Sequence, residues 1–86
     1  MRISCYAQAS GRVQGVGFRY FVLREATQRG IGGWVRNCED GSVQMLLQGE
    51  EQAVQLLLQR IQVENLTVQY PDNDTVPQER EFSIRY

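Results

Sequence analysis

The chain has 86 residues, a formal net charge of −1, and 42 % hydrophobic and 22 % charged residues. That length is one domain, residues 1–86, whose modest core needs most of its apolar residues buried, and the charge balance argues against a general binder of nucleic acid or anionic membrane. There is no histidine and no lysine, so all nine basic residues are arginines, and imidazole bases, histidine metal ligands, Walker-type phosphate loops and Schiff bases are excluded with them.

Ile3, Cys5, Ala7 and Ala9 alternate with Ser4, Tyr6 and Gln8, which predicts a first strand over residues 1–10 with one buried face. Gly11-Arg12-Val13-Gln14-Gly15-Val16-Gly17-Phe18-Arg19 follows, with three glycines in seven positions. Phe18, Phe21, Val22 and Ala26 then fall on one face of a helix, which Gly30 closes. Strand, glycine-rich loop and helix in that order make an anion site. The loop amides can turn toward one point, and the unpaired N–H groups of the helix start join them. Glycine there allows close approach and positive φ. Arg19, placed at the helix start, can meet two phosphate oxygens with its guanidinium fork.

Residues 32–38 read as a second strand, and Asp40-Gly41 is a hairpin signal. Val43, Met45 and Leu47 alternate in a third strand that Gly49 is expected to break. Glu50 and Glu51 suit a helix start, and Val54, Leu57, Leu58 and Ile61 carry the clearest helical period in the chain. Residues 63–70 are β-rich, 71–77 have loop composition, and 81–86 alternate as a last strand. The order βαββαβ, with an extra extended piece late, predicts an α+β, ferredoxin-like sandwich: two helices on one face of a mainly antiparallel sheet of four or five strands. Cys5 and Cys38 lack metal-site spacing and are too few for a disulfide scaffold. With no signal-like or membrane-length apolar run, a cytoplasmic protein is expected.

Three blocks now carry a resemblance: Gly11 to Arg19, Gly33-Trp34-Val35-Arg36-Asn37, and Asp40-Gly41-Ser42-Val43. In this order and spacing the chain resembles the acylphosphatase family, clearly from about residue 10 to 49 and loosely through the second helix. The resemblance implies a small, usually monomeric enzyme without metal or other cofactor. Its substrates would be small-molecule acyl phosphates, hydrolysed to a carboxylate and inorganic phosphate. It implies that Arg19 binds the phosphoryl group, with the loop Gln14, Gly15, Val16, Gly17 and Phe18 around it, and that Asn37 holds the attacking water. The alternative is a non-catalytic module that binds acyl phosphate or carbamoyl phosphate. The sequence departs from the family after the second helix, where a Gly-Pro-Pro-like turn is replaced by Ile61-Gln62-Val63-Glu64-Asn65.

The residues fit this chemistry on their own terms. A carboxylate whose acid has a pKa of roughly 4 departs without protonation, so a chain lacking histidine loses nothing. The reaction needs charge neutralised on the phosphoryl oxygens and a water in line, and Asn37 can orient a water but not act as a base. Asn37 also suits a hairpin cap, and the glycines suit a plain tight turn. An RNA-recognition module shares the element order, but its aromatic–glycine motif belongs on the third strand. A dinucleotide fingerprint would need glycine where Tyr20 stands.

Overall fold

In the computed structural model, residues 1–11, 13 and 16–86 are described, Val16 by its backbone alone. The predicted alternation of the first strand is realised in β1, Arg2–Ser10, where Cys5, Ala7 and Ala9 are buried on one face. The other elements are α1 (Val16–Gln28), β2 (Gly32–Asn37), β3 (Val43–Glu50), α2 (Glu51–Arg60), β4 (Asn65–Gln69), a 3-10 turn (Asn73–Thr75) and β5 (Phe82–Arg85). The sheet order is β4-β1-β3-β2-β5; β5 runs parallel to β2 and the other pairings are antiparallel. This is the expected ferredoxin-like arrangement with a fifth strand.

α1 lies over β2 and β5, and α2 over β1 and β3. Val22 and Ala26 of α1 and Val54, Leu57 and Leu58 of α2 meet Val35, Val43, Met45 and Leu47 of the sheet in one core. Each fully buried Val or Leu among them contributes about 1.5–3 kcal/mol, and Val54, Leu57 and Leu58 at helical spacing made the period of α2 legible. Two bonds close α1, from Gly30 N–H to Thr27 C=O and from Ile31 N–H to Ala26 C=O, with Gly30 at φ +68°. That is the glycine stop read from the sequence. The Glu25 carboxylate of α1 forms ion pairs with Arg29 at 3.0 Å and with Arg60 of α2 at 2.8 Å, tying the two helices together.

Two expectations need correction. Gly49 does not break β3, which continues to Glu50 with Gly49 opposite Ile3. A β-carbon there would come within 3.3 Å of the Ile31 side chain, so the glycine admits a close neighbour inside the strand instead of ending it. The strand expected over residues 63–70 is shorter, Asn65–Gln69.

The far face of the sheet is partly covered by the stretch from Asn73 to Glu79. Val76 packs on Trp34 and Leu46. Gln48, wholly buried, donates to Ser4 Oγ and to the Pro77 carbonyl, and accepts from the Glu79 amide. Ser4 in turn donates to Asn73 Oδ1 at 2.6 Å. The late segment is therefore bolted to the sheet by polar groups that satisfy one another.

Candidate active site

Strand directions bring four parts of the chain to one end of the sheet. β1 finishes there, so do β2 and β5, and β4 begins there. Gly11 leaves β1 at φ +103°, and its carbonyl accepts from Val13 N–H at 3.0 Å. An added β-carbon on Gly11 would lie 2.9 Å from Glu64 Cβ, so glycine is required by both backbone and space. Val13 is buried in the main core and anchors the loop.

The helix begins earlier than the glycine count suggested. Val16 and Gly17 already belong to α1, so Arg19 sits one turn in, as its fourth residue. Gly17 is not among the positive-φ glycines; it is helical, and a β-carbon there would meet nothing within 4 Å. Its missing side chain leaves clear space beside the first-turn N–H groups of Val16, Gly17 and Phe18, which a helix cannot satisfy internally. The expectations for Gln14 and Gly15 lie outside the described residues, as does Arg12. Phe18 is half-buried and packs on the core, so within the site it contributes backbone.

Arg19 is only 8 % exposed, and its guanidinium carbon lies 4.9 Å from the centre of the Tyr86 ring. Its Nε is buried and has no hydrogen-bond partner among the described residues. Asn37 ends β2 on the same face as the core residue Val35, while Trp34 packs on the opposite face. The Oδ1 of Asn37 is buried and likewise unpartnered among the described residues. The β2–β5 register pairs Arg36 with Arg85, and Tyr86 comes next in the chain. The residue beneath the Arg19 guanidinium thus directly follows the β5 residue paired with Arg36. Tyr86 was missed by sequence reasoning, because nothing local to the last strand says which edge it joins.

Asn37 does not cap the hairpin. Cys38 N–H donates to the Ser42 carbonyl at 2.8 Å and Gly41 N–H to the Cys38 carbonyl at 3.2 Å. The Asp40 carboxylate accepts from both the amide and the hydroxyl of Ser42. These bonds, the hydroxyl foremost, hold the Asp40 carboxyl below its usual pKa. Gln8 donates to the same hydroxyl at 2.9 Å, fastening the turn to β1. The turn is complete without Asn37, whose side chain is left for other work.

No disulfide joins Cys5 to Cys38; burial pushes the Cys5 thiol up to about 11, and it is a core residue. Among the described residues no group of three or more His, Cys, Asp or Glu could hold a metal ion.

What this end of the sheet offers is a buried guanidinium, a helix start whose first-turn amides have no partner within the helix, and a buried amide oxygen, which together suit a tetrahedral oxyanion and one water. Comparison with known proteins gives the family. The family model described as Acylphosphatase matches residues 5–84. A protein of Geobacillus thermodenitrificans named "Acylphosphatase" is 47 % identical over 81 residues, covering 88 % of this chain and 86 % of its own. The crystal structure of acylphosphatase from Bacillus subtilis superposes with a TM-score of 0.88 at 36 % identity over the whole of both chains. That of an acylphosphatase from Coxiella burnetii gives 0.85 at 26 % identity, over 98 % of this chain and 93 % of the other.

Proposed function

The chain belongs to the acylphosphatase family and hydrolyses the carboxyl–phosphate bond of acyl phosphates, and from that premise we propose that Arg19 and Asn37 carry the reaction. The observation behind this reading is the pair of buried, unpartnered polar atoms, Arg19 Nε and Asn37 Oδ1, at one end of the sheet. Leaving such groups unpaired costs about 1–3 kcal/mol each, a cost that persists where a ligand completes the bonds.

In this mechanism the phosphoryl oxygens lie against the α1 amides and the Arg19 guanidinium, which neutralise their charge without reorganising. From the sequence pattern, Gln14 and Gly15 are read as further phosphate-binding residues. Asn37 accepts a hydrogen bond from a water through Oδ1 and aims it at phosphorus. The new bond forms between that water and phosphorus. The anhydride P–O bond breaks on the opposite side, and its electron pair leaves on the carboxylate. The loose transition state asks little of a base, so the water's proton passes to phosphate or solvent. No phosphoenzyme forms.

Relatives named as enzymes across most of the chain favour hydrolysis over a module that only binds acyl phosphate. We read residues 1–86 as one cytoplasmic domain, monomeric and without a nucleic-acid or membrane partner. In support, the described residues contain no helix long and apolar enough to cross a membrane.

Because Arg19 supplies the positive charge, protein dialysed against a chelator is expected to hydrolyse benzoyl phosphate at an unchanged rate. Loss of the rate on chelation and its return with a divalent cation would contradict the proposal.

A further inference from the structure

The in-line requirement also says where the rest of the substrate lies. Asn37 pairs with Val43, Val43 with Ala9, and Ala9 with Leu66, so these four residues form one row across β2, β3, β1 and β4. All four face the helices: Val43, Ala9 and Leu66 belong to the core between sheet and helices, and Asn37 shares the face of Val35. At about 4.8 Å per strand the row is roughly 14 Å long. The water is held at its β2 end, and the phosphate loop leaves from β1. A leaving group opposite the water therefore points toward β4, on the helix side of the sheet.

An open trough of about 610 Å³ lies in that direction, lined by Val13, Gln62, Val63 and Glu64. Val13 is buried and Val63 half-buried against the core, giving it an apolar floor. Exposed Gln62 and Glu64 form the rim, and Glu64 lies over Gly11 at the mouth of the loop. A second trough, lined by Gly11, the turn 40–42 and four strand residues, opens at the same end of the sheet, but those strand residues, Gln8, Ser10, Asn65 and Thr67, alternate with Ala9 and Leu66 and so lie on the face away from the helices.

Building on the reading of Arg19 and Asn37 above, we infer that the Val13–Val63 trough is the bed of the acyl group. It takes uncharged, apolar or aromatic acyl phosphates, and Glu64 disfavours acyl groups that carry a distal carboxylate. Three of its four lining residues, Gln62, Val63 and Glu64, come from the connection between α2 and β4.

The test compares kcat/KM for benzoyl phosphate and succinyl phosphate in the parent, Glu64→Gln and Glu64→Lys. Glutamine keeps the stem that packs over Gly11, so the comparison does not depend on the lysine variant folding. The parent is expected to prefer benzoyl phosphate. The succinyl-to-benzoyl ratio is expected to rise about threefold in Glu64→Gln and about tenfold in Glu64→Lys, the scale of one exposed charge neutralised or reversed. A ratio that stays at the parent value in active variants overturns the acyl bed and leaves the catalytic reading intact. A folded parent inactive on both substrates overturns the catalytic reading, and the bed with it.

Discussion

Arg19→Met is expected to lower kcat/KM for benzoyl phosphate by at least ~10³-fold while leaving the protein folded and about 1 kcal/mol more stable. The first part follows from the role of the guanidinium. Single donors to a developing oxyanion are worth about 10²–10³ in rate, and an arginine on a phosphoryl group about 10³–10⁵. The second part follows from burial: Arg19 is 8 % exposed with an unpartnered Nε among the described residues, so the folded protein carries a polar cost that methionine removes. The cation–π contact with Tyr86 is lost, but a thioether over the same ring replaces part of it. Urea unfolding and steady-state kinetics on one preparation measure both. A structural arginine would give the reverse, a less stable protein with its activity largely kept. Arg19→Lys keeps the charge without the fork and should fall between parent and Met.

Asn37→Ala should lower kcat by about 10²–10³ and leave KM within about threefold, because its amide holds the water and not the phosphoryl group. Its stability should stay within about 0.5 kcal/mol of the parent, since the turn is closed by Cys38, Asp40 and Ser42 and fastened to β1 by Gln8. If Asn37 were a hairpin residue after all, the variant would lose about 1 kcal/mol and most of its rate would survive. Asn37→Asp is the harsher change, because a carboxylate would face the phosphoryl oxygens and raise KM as well.

The parts of this fold that announce themselves in the sequence are those whose signal is local. Ile3, Cys5, Ala7 and Ala9 alternate because one face of β1 meets the core, and Val54, Leu57, Leu58 and Ile61 repeat because one face of α2 does. Gly41, at φ +93°, marks the hairpin turn as its Asp-Gly pair suggested. Arg19 and Asn37 stood out as members of a spaced pattern, and the fold then brought both to the same end of the sheet.

What the sequence hid is what depends on distant partners. Gln48 reads as an exposed strand residue, yet it is buried because Ser4, Pro77 and Glu79 satisfy it from positions far away in the chain. Gly49 reads as a breaker until Ile31 is seen lying over it. Gly17 reads as a loop residue, yet it is helical, since glycine tolerates a helix's first turn where packing does not object. The parallel seat of β5 beside β2, and hence the position of Tyr86 under Arg19, is set by a crossover that covers the far face of the sheet.

The central claim is that water held by Asn37 attacks phosphorus held by Arg19, and the bond that breaks tests it most directly. Benzoyl phosphate would be hydrolysed by the protein in ¹⁸O-enriched water, and phosphate and benzoate analysed by mass. Attack at phosphorus predicts one heavy oxygen in each phosphate and none in benzoate. Heavy oxygen in benzoate would mean attack at the carbonyl carbon, and the roles given to Arg19 and Asn37 would be wrong.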